Sequence, residues 1–392
     1  MKNLSKEQQQ AYQNLNIDPD NRIIISLDGG GVRGILTLQL LKKMEEIAGL
    51  PCYQFCDMVA GTSTGGIIAG LMAFGKTAAE IEELYTKFVT KVFTKRNFFA
   101  NRFVNPPAYD KENYRQALQD VIGNTTLQQA HQQTGIDLFI TAKNVSDNEE
   151  TFFTCFEVNN SIDDLFKDAL LRTVMEATMS APTFFHPLER FIDGGVTMYN
   201  NPTLAALLEA VYYSGKGKYE ADKITMFSFG TGTKIQSVSA EQAAKPLGPD
   251  TYFWLNYVMD EANQDASAMQ TDLFRSPLMN IDFRRFQVSF DTSTMQLLPD
   301  HDISGVDNVN ANRLHELSSK ELNDISMDDV NKFGLLKAIG EAMVDYIMQK
   351  NKFTGDLNNT PTKRDELVTA FKGAQKAAPL VKQPKWINNQ PT

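Results

Sequence analysis

Residues 23–34 read Ile-Ile-Ile-Ser-Leu-Asp-Gly-Gly-Gly-Val-Arg-Gly: an apolar run, an aspartate and a glycine-rich turn. The run has the make-up of a strand buried on both faces, and an apolar helical pattern follows Gly34. Inside the stretch, residues 29–34 satisfy G-x-G-x-x-G, the fingerprint of dinucleotide-binding folds. Two local facts count against a nucleotide. Asp28 stands beside the first glycine, where its charge repels a pyrophosphate. The fingerprint also needs an acidic residue about 20 positions on, at the end of the next strand. The nearest, Asp57, comes before the next apolar run, Met58-Val-Ala60. What remains is a group of backbone N–H donors at a helix start with Arg33 beside them. That is a general anion site, open to an anion that forms only during a reaction.

The same pattern repeats at once. Met58-Val-Ala60 leads into the turn Gly61-Thr-Ser-Thr-Gly-Gly66 and then into a small apolar helix from Ile67. Further strands are predicted at 136–142, 151–157 and 224–229, the last running into Gly230-Thr-Gly-Thr233. Apolar strands alternating with helices indicate a parallel sheet covered on both faces. After about residue 236 the character changes: a helix near 250–270, alternation at Phe286, Val288 and Phe290 as in a strand, and helices at about 311–323 and 327–350. Residues 1–20 read as a polar arm or short helix, 21–235 as the core, 236–350 as an elaboration packed on it, and 351–392 as a polar tail.

Composition narrows the function. The chain has 392 residues, 42% hydrophobic and 22% charged, so a large core is expected. A formal net charge of −10 argues against a nucleic-acid polymer as partner and against broad adhesion to anionic membranes. The opening MKNLSKEQQQ lacks the apolar segment of a secretory leader, and no run approaches the roughly 20 apolar residues of a membrane span. Three cysteines fit a reducing, cytoplasmic compartment. Cys52 and Cys56 lie without nearby histidines and read as buried thiols.

The residues that carry chemistry are few. Gly61-Thr-Ser63-Thr-Gly65 is G-x-S-x-G between an apolar strand and an apolar helix. That setting exposes a serine Oγ on a tight turn at the carboxyl edge of the sheet. A serine nucleophile needs a base. Of His131, His186, His301 and His315, none lies in a glycine turn or directly after an apolar strand. Asp193, in Phe191-Ile-Asp-Gly-Gly-Val196, does follow an apolar pair and precede two glycines. A partly desolvated carboxylate beside a serine can take its proton. The same Asp-Gly-Gly also reads as an aspartate that merely holds a turn through its own backbone.

Taken in order, DGGGVRG, GTSTG and DGGV…NNP resemble the motifs of the patatin-like phospholipases. The resemblance covers roughly residues 22–235, including Met179-Ser-Ala-Pro-Thr-Phe-Phe185 and Ser228-Phe-Gly-Thr-Gly-Thr233. It implies a three-layer α/β/α sandwich around a mainly parallel sheet, with a helical C-terminal elaboration. By resemblance, Ser63 is the nucleophile and Asp193 the base of a Ser–Asp dyad without histidine. Gly29, Gly30 and Gly31 supply the oxyanion-hole amides. Arg33, Gly34, Gly61, Gly65, Gly194 and Gly195 complete the motifs. The implied substrate is a phospholipid or other acyl-glycerolipid, and no metal or cofactor is implied.

Two rival functions share these features: a lipid-binding or storage protein with little turnover, and a bacterial effector phospholipase opened by a cyclic nucleotide. Residues 88–104 mix five aromatics with Lys91, Lys95, Arg96 and Arg102. They read either as a peripheral membrane contact or as a buried helix running into a loop.

Overall fold

The computed structural model describes residues 3–92, 109, 111–156, 165–182, 184–213, 218–234, 251–276 and 278–349. Residues 93–104 of the aromatic, basic stretch and the tail from 351 lie outside the described residues. Among those described, seven strands make one sheet: β1 (Arg22–Leu27), β2 (Met58–Gly61), β3 (Asp137–Asn144), β4 (Glu149–Cys155), β5 (Phe191–Asp193), β6 (Ile224–Phe229) and β7 (Asp282–Phe286). Their order is β4-β3-β2-β1-β6-β7, with β5 also on β3. β1, β2, β3, β6 and β7 run parallel, while β4 and β5 run antiparallel to β3.

Successive side chains of a strand face opposite sides of a sheet. Ile24, Met58, Ala60, Phe139 and Met226 therefore join one core, with Ala206, Ala210 and Phe274 from the helices over that face. Ile23, Ile25, Val59, Ile140 and Phe227 join the other, under Leu36, Leu40 and Ile68. The fold is the expected α/β/α sandwich with a mostly parallel central sheet. The helix Lys6–Asn14 begins at a Ser5 capping box and buries Ala11 and Tyr12. Arg284 of β7 donates to the Leu15 and Asn16 carbonyls just beyond it. Phe88, Val89 and Val92 are buried in the core. No helix among the described residues is long and apolar enough to cross a membrane.

The register explains how two distant motifs meet. β4 covers one edge of β3 from Leu138 to Asn144. The other edge is shared: β2 pairs with Asp137–Ile140 and ends with Gly61 opposite Ile140. β5 comes the opposite way and ends with Asp193 opposite Ala142. The two strand ends thus face each other, about two residues or ~7 Å apart along β3. Whatever follows Gly61 must turn beside Asp193.

Three element expectations need correction. β7 ends at Phe286, where the alternation predicted a strand over 286–290. Val288 and Phe290 are buried, but regular pairing stops at Phe229–Phe286: the Gln287 side chain accepts from Gly232 N–H, and pairing resumes only at the Thr233–Ser289 bridge. The predicted helix over 311–323 is a 3₁₀ turn at Leu314–Glu316 and a short helix at Ser319–Asn323, started afresh by a Ser318–Glu321 capping box. The helix predicted from 327 starts at Phe333, because Asp329 caps a separate turn at Val330–Lys332.

Candidate active site

Ser63 sits between β2 and the helix Thr64–Ala73, at φ 51 and ψ −121. Positive φ is rare for a residue with a side chain and marks a strained turn. The turn is held on both sides. Ser63 N–H donates to Thr178 Oγ1 at 2.8 Å. Gly65 packs so closely on β1 that a Cβ there would lie 2.2 Å from the Leu27 carbonyl oxygen. Gly61 and Gly65 lie against each other across the turn. The strain keeps the Ser63 hydroxyl at the carboxyl edge of the sheet, over the positive end of the following helix.

That hydroxyl donates to Asp193 Oδ2 at 2.6 Å. The other carboxylate oxygen, Oδ1, accepts from Gly195 N–H at 2.7 Å, and Gly194 packs on Thr141. Asp193 is 4% exposed. Burial raises its carboxyl from the usual 3.8 to about 7, while the Ser63 and Gly195 hydrogen bonds pull the other way. No cation bonds to it among the described residues, and no described histidine hydrogen-bonds to Ser63 or Asp193. His131 faces the Ile136 carbonyl, His301 faces Asp345 and His315 faces the Leu298 carbonyl. His186 is exposed. A hydroxyl bonded to a buried carboxylate that titrates near neutrality can lose its proton to it.

The glycine loop runs past this pair; a Cβ on Gly29 would lie 3.2 Å from the Ser63 Cβ. Its hydrogen bonds can be counted peptide by peptide. Gly29 N–H donates to the Asn200 carbonyl at 3.0 Å, so it is not open to a ligand. This narrows the expectation of three oxyanion amides to two. The Gly29 carbonyl accepts from Thr231 Oγ1 at 2.7 Å. The Gly30 carbonyl accepts from the N–H and Nε of Arg33, at 3.2 and 3.3 Å. The Gly31 carbonyl accepts from Thr64 Oγ1 and the Tyr85 hydroxyl. Val32 N–H donates to the Met327 carbonyl. Every carbonyl from 29 to 31 is held, and the N–H groups of Gly30 and Gly31 donate to no described group. Arg33 is half-buried at the start of the helix Gly34–Ala48, where Asp260 and Asp28 favour its charge against burial.

Asp28 answers to a residue the sequence did not single out. Arg285 of β7 reaches across β6 and binds it with both terminal nitrogens, at 2.8 and 2.5 Å. Burial pushes the Asp28 carboxyl up, and Arg285 opposes that shift. Arg285 also donates to Ser228, which shares a buried hydrogen-bond chain with Thr203, Ser26 and Asn201. This chain ties the loop after Asp193 to the strand beneath the glycine turn. Thr178, Thr231 and Asn200 likewise gain their place only through tertiary contact. Asp57, at the far end of the sheet, pairs with Arg22. Cys52, Cys56 and Cys155 are buried and form no disulfide among the described residues.

Comparison with known proteins bears on the family of the chain. A family model described as patatin-like phospholipase matches residues 25–207. Patatin-like protein 2 of Oryza sativa subsp. indica is 29% identical over 266 residues, covering 57% of this chain and 64% of the rice protein. The chain thus matches less than two thirds of that relative's length. A cGAMP-activated phospholipase of Vibrio cholerae is 25% identical over 368 residues, covering 87% of this chain and 95% of that protein. Among solved structures, VipD from Legionella pneumophila aligns over 94% of this chain and 82% of its own, at 11% identity and a TM-score of 0.35. Residues 25–207 of this chain form a domain of the patatin-like phospholipase family.

Proposed function

We propose that the chain is a lipid acyl hydrolase that cleaves acyl esters of glycerolipids through a Ser63–Asp193 dyad. The observation that carries this reading is the 2.6 Å bond from Ser63 Oγ to a buried carboxylate without a cationic or histidine partner among the described residues. In the first step Ser63 Oγ attacks the ester carbonyl carbon and its proton passes to Asp193 Oδ2. The carbonyl oxygen becomes an oxyanion and takes the open N–H groups of Gly30 and Gly31, each worth about 3–4 kcal/mol in such a role. Collapse expels the alcohol, which leaves with the proton from Asp193, and an acyl-Ser63 ester remains. Asp193 then draws a proton from water, whose oxygen attacks that ester; the fatty acid departs and Ser63 regains its proton. Each proton moves between the same two oxygens and the substrate, so no further acid or base is required.

Release of fatty acid from phosphatidylcholine and from a soluble p-nitrophenyl ester tests the reading. Ser63→Ala removes one hydroxyl from a turn and is expected to lose activity by at least ~10⁴-fold with folding intact. More than trace turnover in the purified variant contradicts it. Weak turnover by the wild type that matches Ser63→Ala would instead favour a lipid-binding or storage role.

A second reading, regulation by a nucleotide signal, is favoured by one observation. The match to the cGAMP-activated phospholipase extends over 87% of this chain, well beyond residues 25–207. Under this reading basal hydrolysis is low and rises at least about tenfold on adding cGAMP, as a ligand that favours one state shifts the population toward it. Equal rates with and without cGAMP leave the constitutive enzyme.

A further inference from the structure

We propose that the Thr231 hydroxyl is a positioning residue that aims the Gly30 N–H at the oxyanion. The proposal rests on the acyl-transfer reading above. In a trans peptide, the carbonyl and the following N–H lie in one rigid plane and point in opposite directions. Whatever fixes the Gly29 carbonyl therefore fixes the direction of the Gly30 N–H. Thr231 Oγ1 donates to that carbonyl at 2.7 Å, and Thr231 is buried. Asn200 Nδ2 also approaches the same oxygen, but at 3.5 Å, where a hydrogen bond is weak. The neighbouring peptides are held differently: Gly30 by two donors of Arg33, and Gly31 by Thr64 and Tyr85. The Gly29–Gly30 plane alone depends on one strong side-chain donor, and that donor lies outside residues 25–207.

Thr231 is itself well located. β6 pairs with β1 up to Leu27 opposite Phe229, so two residues further Thr231 comes beside Gly29. On either side of Thr231, Gly230 N–H donates to the Phe286 carbonyl and Gly232 N–H to Gln287 Oε1. The fit leaves no room at Gly30: a Cβ there would lie 2.2 Å from Thr231 Oγ1. Gly30 is a glycine because Thr231 occupies its side-chain space, and the same contact seats the hydroxyl on the Gly29 carbonyl. An amide aimed in advance stabilises the oxyanion without reorganising during the reaction.

Thr231→Val keeps the shape and removes the donor. On a soluble p-nitrophenyl ester, kcat is expected to fall about 10- to 100-fold with KM within about twofold of wild type. Thr231→Ser keeps the hydroxyl and is expected to stay within about threefold. A trifluoromethyl ketone, whose adduct with Ser63 carries the oxyanion, is expected to lose affinity for Thr231→Val by the same factor as kcat/KM. If Thr231→Val does not fold, Thr231→Ala set against Thr231→Ser gives the same comparison. Wild-type kcat in the variant without the hydroxyl overturns the proposal. So does an equal loss in the serine variant, which marks a packing role only. The Ser63→Ala control separates the two levels: activity in that variant overturns the hydrolase reading, whereas an inactive Ser63→Ala beside a normal Thr231→Val overturns only the positioning role.

Discussion

Asp28 and Asp193 stand in the same local sequence, an aspartate after an apolar strand and before two glycines, and their surroundings set them apart. Asp28 is buried against a guanidinium that binds both its oxygens. Asp193 is buried against a hydroxyl and one backbone N–H. The guanidinium offsets part of the cost of burying the first charge, and burial still holds that carboxyl above its usual range. The second has only two neutral donors, the Ser63 hydroxyl and the Gly195 N–H, to oppose its burial, which lifts its carboxyl to about 7 and makes it a proton acceptor of useful strength. The lesson is that burial alone does not make a carboxylate a base. What the carboxylate binds decides its role: Asp193 holds the Ser63 hydroxyl and Asp28 a guanidinium, and those partners are set by neighbouring strands.

The comparison breaks most visibly at Arg285. Arg285→Met leaves Asp28 buried and unpaired, and is expected to destabilise the protein by about 3–5 kcal/mol in urea denaturation. Adding Asp28→Asn to that variant should recover a large part of the loss, since the stranded charge is gone. A cost below about 1 kcal/mol for Arg285→Met would mean the pair does not hold the glycine loop.

Asp193 should behave in the opposite sense. Its folded pKa lies above its unfolded one, so the folded state holds the proton more tightly. Stability from this group is full below about pH 4 and falls as the pH rises toward 7. A rise from 3.8 to about 7 corresponds to a penalty on the charged form of about 4 kcal/mol as an upper figure. Asp193→Asn removes the charge and keeps the shape. It is expected to gain stability over wild type progressively between pH 4 and 8, read as a pH-dependent difference in melting temperature. A difference that stays flat with pH would show that Asp193 is not desolvated as described.

The smallest effects belong to the histidines. His131→Gln, His186→Gln, His301→Gln and His315→Gln should each keep kcat within about twofold. A loss of about 10³-fold in one of them, with normal folding, would restore a triad.

How much of this could be read from the sequence depends on how local each feature is. Ser63 was legible because the strand, the glycine turn and the helix that expose it are consecutive. Asp193 was legible as a candidate, from its place after an apolar pair and from the resemblance of the surrounding motif, but not as a carboxylate raised to near neutrality. Arg285 was not legible: it lies 257 residues from Asp28, and only the order β1-β6-β7 brings the two together. Gly29 was expected among the oxyanion donors, and its N–H is spent on Asn200, a contact across 171 residues for which the chain carries no local signal. The strand expected at 286–290 failed for a related reason. Its alternation reports burial correctly, but a hydrogen bond from Gly232 N–H to the Gln287 side chain replaces the ladder there.

The central claim is that Asp193 itself takes the serine proton, and the most direct measurement is kcat of purified, folded Asp193→Asn on a soluble ester. Asparagine keeps the turn bond to Gly195 but cannot accept a proton as a carboxylate does. The account predicts a loss of at least about 10³-fold, approaching that of Ser63→Ala. It also predicts that the acidic limb of wild-type kcat/KM, with its midpoint near 7, persists in all four histidine variants, because that value would otherwise be assigned to histidine. If Asp193→Asn retains a tenth or more of wild-type kcat, Asp193 only holds its turn and the dyad is wrong.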